Sequence, residues 1–386
     1  MDLVRALTFA CVIAVHTIST VNPIDSKPWD GAVILLHFTR SAFFVLSAIV
    51  LTTRYADRPP RPVSFWRRRF VLVGIPFITW TLIYSAIGLA AAPRSLRESV
   101  ISVLYNLGTG RGWFHLYFLL VSLQFYLLFP LYIRLLRATV GRHRYLIAVS
   151  ALAQFGYDLW VHDPTPTGVK AAYLHFSEAY VVSYQFFLIL GGVIAMHRHE
   201  VEAWLRSHHR VTITALVATG LLVEIRYIWA VIRGTNPMFA SDVFQVGVLL
   251  WSVAAVGGVY TLGVRWADRR GDGNSAGSRW VERASNRSFG VFLVHPLILW
   301  ALTAAGPGSL AGKLPAPLSS LVVFPIAVFG SLLLVELLRR TPLSMALTGK
   351  ARLGQPRTSV PVSVSVPLSR TELERTPVGI GERGRR

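Results

Sequence analysis

Apolar residues fill ten blocks of this chain, at 3–21, 31–53, 70–92, 113–133, 145–161, 180–197, 211–232, 243–263, 288–305 and 317–338. Each block is about 17–25 residues long, and a helix of that length crosses the hydrocarbon core of a bilayer. The pattern predicts an all-α, polytopic membrane helical bundle of about ten transmembrane helices. The first block lacks a small-residue cleavage site and reads as a retained span rather than a signal peptide. Residues 1–340 are expected to form one ten-span membrane domain, with no room for a globular domain in the loops and no internal repeat. Residues 341–386, rich in Pro, Ser, Val and Arg without a helical period, are expected to form a disordered basic cytoplasmic tail that touches anionic lipid.

Composition agrees. The 386 residues are 53% hydrophobic and 15% charged, with a mean hydropathy of +0.49, whereas soluble domains are about a quarter charged. A net charge of +20 raises nucleic acid as a partner, but its distribution argues against one. Twenty-nine Lys and Arg fall in the loops and tail on one side of the spans, against seven on the other. That bias places both termini in the cytoplasm of a plasma-membrane protein, consistent with an even span count. The one cysteine, Cys11, lies in the first span, so no intrachain disulfide forms.

Walker loops, dinucleotide fingerprints, Cys/His metal clusters and G-x-S-x-G elbows are absent from the sequence. The remaining candidates are polar residues at membrane depth, which are functional-site hypotheses by default. Arg5 and His16 lie eleven residues apart, almost three helical turns and about 16 Å along one face of one helix. An imidazole there serves as a base towards a hydroxyl or as a nucleophile that carries an acyl group. Arg5 and the run Arg67, Arg68 and Arg69 gather guanidiniums at one edge, suited to phosphate or simply to orientation by positive charge. His37 and Arg40 share a face of the second span. Trp113 and His115 belong to an aromatic stretch that fits either an interfacial belt or a sugar platform. His295-Pro296 lies inside the ninth span, where the proline removes a helix hydrogen bond. Glu224 and Arg226, two apart, do not face each other. Gly191-Gly192 and Gly257-Gly258 read as close helix packing rather than phosphate binding.

At these residues the chain resembles the acyltransferase family 3 membrane proteins. Asp2-Leu3-Val4-Arg5, continuing to His16, is similar to that family's Asp-x-x-Arg start and Arg-x10-His motif. Phe43-Phe44-Val45-Leu46-Ser47 resembles its second-span segment, and Phe65 to Arg69 with Ile75-Pro76-Phe77 its basic loop and following helix start. His115-Leu116-Tyr117-Phe118 and Ser288 to Pro296 resemble two further segments. Two departures stand out. Ala48 replaces a glycine, which alters packing in the second span, and Leu72 or Val73 stands where the basic loop carries another cation.

The resemblance implies an O-acyltransferase that uses acyl-CoA, with acetyl-CoA as the expected donor, and needs no metal. Arg5 and Arg67 to Arg69 would hold the donor phosphates and His16 would act as base or acyl carrier. The acceptor, a carbohydrate or lipid-linked glycan, would enter from the other side past His37, Arg40, Trp113, His115 and His295, with Lys170 or His175 near its path. One channel is expected to join Arg5 to His16. The alternatives are a proton-coupled transporter or flippase of a sugar or acyl carrier, and a non-catalytic export-complex subunit.

Overall fold

The computed structural model describes residues 1–354 except 24, 163, 164 and 271–274. The described residues form helices and no strands. They are α1 (Asp2–Val21), α2 (Lys27–Leu36), α3 (Phe38–Tyr55), α4 (Pro62–Arg69), α5 (Ile75–Ala91), α6 (Leu96–Thr109), α7 (Tyr117–Ala138), α8 (His143–Val161) and α9 (Gly168–Leu174). After two 3-10 turns come α10 (Gln185–Met196), α11 (Arg198–Ser207), α12 (His209–Ile232), α13 (Pro237–Ala240), α14 (Val246–Arg269), α15 (Ala276–Thr303), α16 (Ala316–Leu338) and α17 (Ser344–Thr348).

Helix occupies every apolar block, but among the described residues seven segments are long and apolar enough to cross a membrane. The pair α10 and α11, bent by 91°, adds an eighth if it is one span. The charged first half of α15 and the polar positions of α8 explain why these two fall outside that set. The outward surface is apolar: Leu152, Leu221, Ile225, Leu321 and Leu333 are all exposed. A soluble fold does not place such residues in water in these numbers; lipid is their natural solvent.

α1 sits in the middle of the bundle, packed against α2, α3, α14, α15 and α16. Asp2 in its first turn accepts a hydrogen bond from the Ser285 hydroxyl of α15 at 2.9 Å, which fixes the register of the two helices. α3 and α10 cross closely because Gly191 leaves no side chain at the contact, and Gly192 does the same towards α7. A Cβ on Gly191 would lie 2.4 Å from the Val45 carbonyl oxygen, and one on Gly192 would lie 1.9 Å from the Tyr132 hydroxyl. The packing role expected of this glycine pair is therefore met. The methyl of Ala48 is accommodated because its facing position is Gly191.

Two elements depart from the expected boundaries. The second block is interrupted at His37, between α2 and α3. Between α4 and α5 the chain makes a π turn, Phe70–Gly74, just ahead of Pro76. The wider turn and the missing proline N–H shift the arginine-bearing helix face relative to α5. The compact unit runs to Leu353, so the start of the segment assigned to the tail is folded: α17 packs on α5, α15 and α16. The rest of that segment, 355–386, lies outside the described residues.

Candidate active site

His16, His115 and His295 come together although they lie on α1, on the turn before α7 and on α15. The His16 and His295 rings stack with centroids 5.3 Å apart, and His115 meets His295 edge-on at 5.5 Å. Phe114 covers His16 at 4.5 Å. His16 is partly exposed, whereas His115 and His295 are fully buried.

Backbone chemistry sets the tautomer of His295. Pro296 has no N–H, so the Phe292 carbonyl four residues earlier lacks its helical donor. His295 Nδ1 fills the gap, 2.8 Å from that oxygen and 3.2 Å from the Val291 carbonyl. Carbonyls only accept, so Nδ1 carries the proton and Nε2 presents its lone pair. Nε2 is buried and has no hydrogen-bond partner in the protein, and the same holds for both nitrogens of His115 and for Nε1 of Trp113. Four such atoms in one region are costly in a structural core, at about 1–3 kcal/mol each.

Tyr84 supports this group. Its hydroxyl donates to the Leu293 carbonyl at 2.8 Å, its ring stacks on Trp113 at 4.9 Å, and it meets His115 edge-on at 5.5 Å. The aromatic stretch around Trp113 thus packs into the histidine cluster.

Towards the other end of α1, a cavity of about 340 Å³ is lined by Arg5, Arg69, Asn286 and Lys350, with Ser47, Ser285 and Ser288 among its neutral polar groups. Among the described residues its lining contains no carboxylate. Arg69 also lies over the rings of Phe65 and Tyr126, at 5.6 and 5.7 Å, and its Nε is buried without a partner. Arg67 and Arg68 are exposed and line a separate depression with Arg61. Of the three consecutive arginines, only Arg69 joins Arg5. Asn286 and Lys350 carry no signal in the sequence that marks them for this cavity.

The cavity does not continue to His16 as the expected channel would. Its lining ends at Phe9 and Phe43, which pack with Phe292 and Phe118 at centroid distances of 5.6–6.4 Å. Phe9 follows Arg5 by one helical turn, so it stands on the same face between Arg5 and His16. Phe292 then touches His115 at 5.1 Å. A layer of four phenylalanines thus separates the cationic cavity from the three imidazoles.

His37 and Arg40 line a third space of about 270 Å³ with Ser19, Asp30, Glu178 and Asp242. Arg40 pairs with Glu178 at 3.0 Å and its guanidinium lies 5.4 Å from the Tyr117 ring. Ser19 is three residues beyond His16 on α1, so this space adjoins the histidine cluster. Lys170 and His175 are engaged elsewhere, with Lys170 over the Trp160 ring and Arg111 bonded to the His175 carbonyl. Arg226 donates to the Ala240 carbonyl rather than pairing with Glu224. Among the described residues no group of three or more His, Cys, Asp or Glu is placed to hold a metal ion.

A family model described as an acyltransferase domain matches residues 1–336, so the chain belongs to that acyltransferase family. The chain is also similar to a Bacillus subtilis protein named "Putative membrane-bound acyltransferase YfiQ", with 22% identity over 237 residues. That match spans 58% of this chain and 64% of the relative, just under two thirds of its length. No solved structure matches.

Proposed function

We propose that this member of the acyltransferase family moves an acyl group, acetyl in the simplest case, from acyl-CoA to a hydroxyl of a carbohydrate or lipid-linked glycan. The donor's phosphates lie in the cavity of Arg5 and Arg69, on the arginine-rich side that we assign to the cytoplasm of the plasma membrane, with both termini there. The acceptor approaches through the space lined by His37, Arg40 and Glu178, whose polar groups suit ring hydroxyls. Trp113, whose indole N–H is buried without a partner, belongs to the histidine cluster that this space adjoins.

His16 is the reacting imidazole, as base on the acceptor hydroxyl or as the atom that carries the acyl group between two transfers. As base it takes the hydroxyl proton while the oxygen attacks the thioester carbonyl, and the departing thiolate is reprotonated as free thiol. His295, held with Nε2 unprotonated, and His115 line the same place and orient the reacting groups. The observation that carries the reading is the meeting of these three imidazoles at the far end of the helix face that begins with Arg5.

Loss of a general base costs about 10²–10⁴-fold in rate. Purified His16→Ala protein that inserts and elutes as wild type is therefore expected to lose acyl transfer from acetyl-CoA to envelope glycans by that factor, measured as free thiol released. Full activity in that variant would overturn the assignment. Movement of substrate across vesicles without any change in its mass would replace the enzymatic reading by a carrier.

A further inference from the structure

We infer that residues 341–353 form a strap that completes the donor cavity, and that Lys350 on this strap is a third cationic contact for the donor's phosphates. The inference rests on the reading of that cavity as the acyl-CoA site. The family match ends at residue 336, so the likeness itself covers neither the strap nor its lysine.

The course of the strap is set at several points. The buried Trp80 donates from Nε1 to the Leu347 carbonyl at 3.0 Å. Ser344 Oγ donates to the Lys350 carbonyl at 2.8 Å, and the Leu353 amide donates to the Arg339 carbonyl at 2.8 Å. Arg352 Nε reaches the Arg340 carbonyl at 2.8 Å. Gly349 ends α17 at φ 62°, in the left-handed region. A Cβ there would lie 2.6 Å from the Phe289 ring and 2.8 Å from the Leu72 carbonyl oxygen. Only glycine meets both conditions, the backbone twist and the close approach. The next residue is Lys350, which is thereby held on the wall of the cavity with Arg5 and Arg69.

Among the described residues, three cations, Arg5, Arg69 and Lys350, line this space of about 340 Å³, a lining suited to a compact polyanion. The two guanidiniums supply planar forks for phosphate oxygens, and the ammonium supplies a point charge that tolerates varied geometry. Coenzyme A carries a diphosphate and a ribose 3′-phosphate, enough anions to engage all three.

The test is equilibrium binding of coenzyme A to the purified full chain in detergent, by calorimetry. Lys350→Gln is expected to weaken binding about tenfold, and Lys350→Arg to stay within about threefold of wild type. A Lys350→Gln protein that binds coenzyme A as tightly as wild type, while Arg5→Gln binds weakly, would overturn the role of the strap and leave the donor site standing. If the wild-type chain binds no coenzyme A, the donor reading itself falls, and this inference with it. Gly349→Ala supplies an independent check on the strap. It is expected to weaken binding while leaving the Lys350 charge in place, and unchanged affinity there counts against the strap as a wall.

Discussion

Pro296 shows how one residue can connect backbone geometry to chemistry. A proline inside a helix costs about 3 kcal/mol or more and orphans a carbonyl. Here His295 Nδ1 takes over that carbonyl, so the residue that weakens the helix also dictates which ring nitrogen is free. Restoring the amide with Pro296→Ala lets the helix satisfy Phe292 and releases His295 to either tautomer. The expected outcome is a thermal midpoint equal to or above that of wild type together with acyl transfer reduced about tenfold or more. An unchanged rate in that variant would show that the tautomer of His295 does not matter.

At the scale of elements, the packing of α10 against α3 at Gly191 and against α7 at Gly192 depends on absent side chains. Gly192 faces the Tyr132 hydroxyl, which itself donates to the Leu188 carbonyl at 2.8 Å, so a methyl at 192 both clashes and breaks that bond. Gly192→Ala is expected to destabilise the chain by about 1–3 kcal/mol, read as a lowered midpoint in detergent. Gly257→Ala is the control. Its nearest neighbour would be 3.7 Å away, ordinary contact distance, and its midpoint should hold. The bend between α10 and α11 is tied to a third helix, by a 2.8 Å contact from His143 at the start of α8 to His197 at the joint.

The whole molecule presents two polar compartments on one central helix, parted by the rings of Phe9, Phe43, Phe118 and Phe292. Any group that passes from the Arg5 cavity to His16 has to pass these rings, and the smaller it is the less they need to move. Phe43→Ala removes the ring that touches all three others and that lines the cavity. The expected outcome is a higher ratio of kcat/KM for longer acyl-CoA donors to that for acetyl-CoA, compared in one assay series. An unaltered ratio would indicate that the acyl group takes another route. Phe43→Leu, which keeps most of the volume, should fall between the two.

Apolar block length alone was enough to establish an all-helical membrane chain, because lipid leaves helix as the local solution for backbone hydrogen bonds. Spacing alone placed Arg5 and His16 on one face, and the ordered motifs supplied the family. These are properties of period and residue type, which need no knowledge of neighbours. Tertiary packing decided the rest. It turned Arg69 inward and left Arg67 and Arg68 outside, since successive residues of one helix point about 100° apart and packing chose which of them faces the cavity. It brought His115 and His295 to His16 from 99 and 279 residues away along the chain and gave Arg40 its partner in Glu178. It also set a phenylalanine layer where a straight channel was expected, and folded the strap that carries Lys350 back onto α5. Contacts between distant segments depend on which faces interdigitate, and a linear pattern of polar and apolar positions does not encode that choice.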